Sequence, residues 1–149
     1  MWDQIFSAAN MMALICWAVL ILLPRSETLY RALFYGPILV LGLTYLVLLG
    51  SVLGGAIPSE GDIDFGSIAG VRSIFDNDVG VVIGWIHYLC FDLFVGLWIA
   101  RNADAHGINR IIQAPILVLT FMFGPVGLVS YMATRQMMRA GRIAGHLPA

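Results

Sequence analysis

The chain has 149 residues, 60% of them hydrophobic and 11% charged, with a mean hydropathy of +0.87 and a formal net charge of −1. Eight arginines and nine Asp/Glu cannot clothe a soluble exterior of that size, so a soluble enzyme, a nucleic-acid binder and a disordered chain are excluded. There is no lysine, which removes Schiff-base and other lysine-nucleophile chemistry.

A helix crosses the bilayer core with about 20 mostly apolar residues. Four stretches of the chain meet that condition. They predict an all-α membrane protein, a single domain of four transmembrane helices in a bundle. The first span covers 5–23 and is interrupted only by Ser7 and Asn10. It lacks a basic n-region, since Asp3 is the only charge before it, so it reads as a retained helix and not a signal peptide. Cys16 lies within it and Cys90 within the third span. Neither has a CxxC partner, and both read as small buried thiols. A short loop with Arg25 and Arg31 leads to the second span, 33–53, whose most polar member is Thr44.

A longer acidic loop follows, 54–78. It opens on Gly54-Gly55 and carries Glu60, Asp62, Asp64, Asp76 and Asp78 against Arg72. Apolar residues at 65, 68, 71, 74 and 75 recur at helical spacing and predict a short interfacial helix.

The third span, 79–100, is the most informative. Asp92 lies near its middle, where a carboxylate must be paired, protonated or facing water; function is the default reading of such a group, and hydrogen-bonded packing the alternative. Gly84, Tyr88, Asp92 and Gly96 follow at i+4 and share one stripe. Glycines there permit close helix approach, and the Tyr88 hydroxyl can reach the carboxyl of the next turn. His87 lies five residues from Asp92, about 140° round the helix. A direct bond within one straight helix is therefore not expected, although both could line one cavity. His87 reads equally as a core histidine or as a base.

Asp104 and His106 fall in the predicted loop 101–110, where they read as solvating charges, with Arg101 or Arg110 as partners for Asp104. Asp and His two apart can bind metal, but two ligands without a third make a weak signal. A cluster with His87 and Asp92 would have to reach about 15–20 Å along the helix, so no metal is assigned. The fourth span, 111–133, contains Phe121-Met122-Phe123-Gly124-Pro125. The Gly-Pro step predicts a kink that frees a carbonyl, with Phe121, Met122 and Phe123 as an adaptable apolar wall, or a kink that only suits packing.

The tail, 134–149, carries Arg135, Arg139 and Arg142 and is expected to extend the fourth helix into the headgroups. Four spans place the two short loops on one face, and both termini with the acidic loop on the other. Each face then has four arginines, and the positive-inside rule ties. Pro37-Ile38-Leu39-Val40-Leu41 recurs as Pro115-Ile116-Leu117-Val118-Leu119, compatible with two tandem hairpins or with chance in so apolar a chain.

Three segments together resemble the abscisic-acid-deficient-four family. They are Gly84-Trp85-Ile86-His87-Tyr88 continuing through Phe91-Asp92-Leu93-Phe94-Val95-Gly96-Leu97-Trp98-Ile99, then Asn102-Ala103-Asp104 with Gly107-Ile108, then Leu119 to Leu128. The resemblance covers roughly 28–133. It implies a membrane protein of carotenoid metabolism, since the plant members are needed to form neoxanthin from violaxanthin. That reaction opens a 5,6-epoxide, removes a proton from the neighbouring chain carbon and gives an allene and a hydroxyl, with no net redox and no cofactor. The resemblance implies a neutral Asp92 as acid, His87 as base and Tyr88 orienting the acid. Gly84, Gly96, Phe121, Met122, Phe123 and Gly124 would frame a groove for a carotenoid or other isoprenoid. With no plastid transit peptide expected, a bacterial inner membrane is the expected location.

Other readings stay open. One is a non-catalytic carotenoid- or lipid-binding or scaffold protein. Another is a metal-dependent carotenoid-modifying enzyme, for which three histidines, including His146 in the tail, are few. A transporter or channel has the least support, because one buried acid offers little path. The partners expected are membrane lipid and the isoprenoid substrate, with homo-oligomerisation open and no nucleic acid.

Overall fold

The computed structural model describes residues 1–58 and 64–144, and the side chains of 141–144 are not described. Glu60 and Asp62 of the acidic loop, and His146 of the tail, lie outside the described residues. Every described element is helical. Helix α1 is Trp2–Leu22, α2 is Glu27–Leu53, α3 is Ile68–Ile74, α4 is Asp78–Ala105, α5 is Arg110–Phe123 and α6 is Pro125–Ala144. By length and composition, α1, α2 and α4 could cross a membrane.

Local chemistry sets the helix starts. Ser26 caps α2 by accepting from the Leu29 N–H at 3.1 Å, and Asn77 caps α4 by accepting from the Gly80 N–H at 2.9 Å. The interfacial helix expected around 65–75 is α3. Ser67 caps it through the Gly70 N–H (3.0 Å), and Asp64 accepts from the Ser67 hydroxyl and the Gly66 N–H, both at 2.7 Å. Those two bonds hold the Asp64 carboxyl below the usual carboxylate range.

Inside α2, Phe34–Ile38 form a π-turn around Pro37. Proline has no N–H to give the ladder, and the wider turn absorbs the defect. The Cys90 thiol of α4 donates to the Ile38 carbonyl there at 3.5 Å.

Contacts along the helices give their directions. Phe6 packs on Trp85, Trp17 on Gly96, and Arg25 reaches Asp104, so α1 and α4 run parallel. Glu27 meets Arg101, Phe34 meets Phe94 and Tyr45 meets His87, so α2 runs antiparallel to α4. Arg110 binds carbonyls at the end of α1 while Phe121 reaches Trp17, so α5 descends beside α1 to about its middle.

The predicted fourth span departs from this pattern. It is not one kinked helix. At Gly124 the backbone takes φ +30° and ψ −86°, and the chain turns back on itself. A Cβ at Gly127 would collide with the Thr120 backbone, so the first turn of α6 crosses the last turn of α5. Further along α6, Tyr131 bonds Asn102 at 2.6 Å and Arg135 meets His106 at 3.2 Å. Helices α5 and α6 therefore make a hairpin that enters the bundle from one end and leaves by the same end. A fully spanning helix of residues 111–133 is corrected to this hairpin, because a left-handed glycine followed by proline ends a helix rather than bending it.

The correction moves the tail to the other face. Arg25, Arg31, Arg101, Arg110, Arg135 and Arg139 all lie at the end where the hairpin opens, and Arg72 alone among described arginine side chains lies at the opposite end. The expectation that the C-terminal tail shares a face with the N-terminus and the 54–78 segment is overturned for its described residues by the same contacts. With the chain in membranes, Ala69→Cys and Gln136→Cys should react with an impermeant maleimide from opposite sides. Labelling of both from one side would refute the hairpin.

Candidate functional site at the hairpin tip

The stripe read from the third span exists on α4, and each position meets a different neighbour. A Cβ at Gly84 would run into the Phe75 ring, and one at Gly96 into the Trp17 indole. Both glycines are therefore close-approach positions filled by the protein's own aromatic rings. Asp92, between them, faces Gly124: a Cβ on that glycine would overlap the Asp92 carboxylate. The half-buried acid thus lies against the tip of the hairpin.

The tip is unusual ground for a carboxylate. Helix α5 ends there, and the Gly124 N–H closes its last turn on the Thr120 carbonyl at 2.8 Å. Helix α6 begins there, with Pro125 in its first position and the Leu128 N–H bonded to the Gly124 carbonyl at 3.2 Å. First-turn N–H groups have no acceptor within their own helix, and the helix dipole is positive at this end. Asp92 is the charged side chain beside that turn. Thr120, fully buried, donates to the Ile116 carbonyl of its own helix at 2.8 Å.

His87 is exposed on the adjoining face of α4. Its ring stacks on Phe91 at 4.7 Å, tilts against Tyr45 at 5.5 Å and stands edge-on to Tyr88 at 6.3 Å. It lies within electrostatic reach of Asp92. Tyr88 is 60% exposed, and no hydrogen bond joins it to Asp92; the aromatic ring it meets is His87, so the expected Tyr88–Asp92 pairing is absent. Of the proposed wall, Phe121 turns inward to Trp17 at 5.5 Å, whereas Met122 and Phe123 point outward from the bundle.

A second polar group lies at the arginine end, and the sequence reading missed most of it. Asp104 belongs to α4, not to a loop. It receives Tyr30 Oη at 2.5 Å, Gln113 Nε2 at 2.8 Å and Arg25 Nη1 at 3.2 Å. The Arg25 side chain is only 2% exposed; it also bonds the Leu20 carbonyl at 2.8 Å and the Gln113 side-chain carbonyl. Gln113 is itself buried and gives its second bond to the Ile108 carbonyl at 2.7 Å. One cluster therefore ties the α1–α2 turn, α4 and α5 together. The expected partners of Asp104 are corrected: Arg101 pairs with Glu27, and Arg110 with the carbonyls of Ile21 and Leu23. A lone glutamine at the start of an apolar run was the available signal. Among the described residues, no three His, Cys, Asp or Glu converge as metal ligands.

A small helical protein with three membrane-length helices, a half-length hairpin between them and a lone acid at its tip is the class these features define. The family model described as ABA DEFICIENT 4-like matches residues 4–131, and the chain belongs to that family. It is similar to the protein named ABA DEFICIENT 4, chloroplastic, of Arabidopsis thaliana, at 25% identity over 141 residues, covering 89% of this chain and 61% of that protein. The chain thus spans about three fifths of the length of that curated relative. No solved structure matches.

Two stability outcomes follow. Tyr30→Phe removes a hydrogen bond to a carboxylate and should lower stability by roughly 1.5 kcal/mol in detergent unfolding. Gly124→Ala should cost about 2 kcal/mol or more, from its positive φ and its overlap with Asp92. In a double-mutant cycle, Asp92→Ala should recover part of that loss. Strict additivity would mean that the carboxylate does not crowd the tip.

Proposed function

We propose that the protein is an intramembrane enzyme acting on a carotenoid or related isoprenoid, opening an epoxide to an allene by acid–base chemistry. The observation that carries this reading is a lone half-buried carboxylate against the broken backbone of the hairpin tip, in a chain of the ABA DEFICIENT 4-like family. A carboxyl at that depth is costly unless it is paired, protonated or reached by water, which makes function its default reading.

In the reaction, Asp92 gives its proton to the epoxide oxygen as the ring C–O bond breaks. His87 removes the proton from the neighbouring chain carbon, and its electrons form the new cumulated double bond. The sum is an isomerisation, so neither oxidant nor reductant is consumed. Tyr88 stands against His87 and positions the base rather than the acid. Gly124 leaves room at the tip for the carboxyl, and Met122 and Phe123 border it on the lipid side. Gly84 and Gly96 serve by letting Phe75 and Trp17 pack close, which keeps α4 in place. The metal-dependent reading finds no ligand set among the described residues.

A bacterial inner membrane is the location we propose, and the arginines gathered at the hairpin's open end support an orientation with that end in the cytoplasm and the N-terminus outside.

The test is pigment extraction from carotenoid-producing cells supplied with an epoxidised carotenoid, with and without the protein. An allenic product should appear only with it. Asp92→Asn keeps size and should leave a folded, inserted protein with product formation down by about 10²-fold or more. Full turnover by the Asn variant would reject Asp92 as the acid. Binding of pigment without any conversion would favour the lipid-binding or scaffold reading.

A further inference from the structure

We infer that the open end of the α5–α6 hairpin carries a second site, which takes the phosphate headgroup of an anionic lipid. A cavity of about 430 Å³ lies there, between α6 and the turn that joins α4 to α5. Arg135, Arg139 and His106 line it together with the apolar Ile108, Met132 and Met138. Gln136 also lines it, and among the described residues no carboxylate does.

The two guanidinium groups stand one turn apart on one face of α6. Like charges at that spacing repel by a few tenths of a kcal/mol unless an anion joins them. Among the described acids at this end of the bundle, Asp104 is engaged with Arg25, Tyr30 and Gln113, and Glu27 with Arg101. Arg135 is held in place from behind. Its Nη2 lies 3.2 Å from His106 Nε2, and His106 Nδ1 lies 2.8 Å from the Asn102 carbonyl. In the tautomer that carries its proton on Nδ1, His106 donates to Asn102 and accepts from Arg135. Tyr131 bonds the Asn102 side chain at 2.6 Å, so the support runs on into the buried face of α6.

The form of the surface separates a lipid from a free anion. Along the exposed face of α6, Val126, Val129 and Met132 precede Arg135 and Arg139. The face changes from apolar to basic within about one turn, as an amphiphile with a charged head changes along its length. Planar guanidinium groups match phosphate oxygens in paired hydrogen bonds. An acyl or prenyl chain would then lie beside Met132, Met138 and Ile108, whose flexible and branched surfaces suit it. The site lies at the opposite end of the hairpin from Asp92 and does not depend on the reaction proposed there.

Phosphatidic acid and diacylglycerol differ only in the phosphate, which makes them a clean pair of probes. The purified protein in neutral detergent should retain one dioleoylphosphatidic acid in native mass spectrometry and unfold at a higher temperature with it. Dioleoylglycerol and millimolar inorganic phosphate should do neither. Arg135 and Arg139 are exposed, so Arg135→Gln with Arg139→Gln should leave the fold intact and weaken phosphatidic acid binding by about tenfold or more. Arg31→Gln with Arg101→Gln removes the same charge from the same end and should leave binding unchanged. Equal retention of dioleoylglycerol, an equal effect of free phosphate, or equal loss in both double variants would overturn the site.

Discussion

A polypeptide that reverses direction inside an apolar slab must satisfy its backbone without water, and this constraint shapes the molecule. Helix α5 stops at about half the depth of the bundle, so the last carbonyls of α5 and the first N–H groups of α6 lack partners within their own helices. Gly124 makes the turn tight enough for the two helices to touch at once, with Gly127 seated on Thr120. Pro125 removes one donor that would otherwise need a partner. The acid of α4 lies against this point. A polar side chain is tolerated there because the backbone around it is already polar, and the broken backbone is tolerated because protein surrounds it.

The arginine end supplies the anchor for that reversal. The Arg25 side chain is buried with its charge matched by Asp104, and it also donates to Gln113 and the Leu20 carbonyl. Removing one partner of such a group leaves an uncompensated charge, which costs several kcal/mol. The cluster therefore fixes where α5 begins relative to α1 and α4, and through the length of α5 it fixes the depth of the tip. Arg110 on the α1 carbonyls acts in the same sense. The aromatic fillings at Gly84 and Gly96 hold α4 against its neighbours over the rest of its length.

Depth is what links this scaffold to chemistry. A carboxylate at a helix end near the surface would be solvated and ordinary. The same group at the hairpin tip is partly withdrawn from water, against Gly124 and within electrostatic reach of an exposed imidazole. The outward residues Met122, Phe123 and Tyr88 form the apolar and aromatic surface around it. Two chemically different zones thus share one hairpin, a tip against the Asp92 carboxyl and a basic mouth.

Much was legible in the sequence because it depends on local composition and period. Apolar runs of spanning length, the short helix within the acidic loop, and the i+4 stripe of Gly84, Tyr88, Asp92 and Gly96 are properties of neighbouring residues. The motif through the third and fourth spans carried the family resemblance. The reversal at Gly124 was not legible, since hydropathy is the same whether an apolar segment crosses or returns, and a Gly-Pro step is read locally as a kink. Arg25, Asp104 and Gln113 looked like independent surface charges and a stray amide, because their pairing spans up to 88 positions and exists only after the helices assemble. The arginine tie had the same origin. Sequence determined how many basic residues there are; the direction of α6, set by a left-handed glycine packed into the bundle, decided on which side most of them stand.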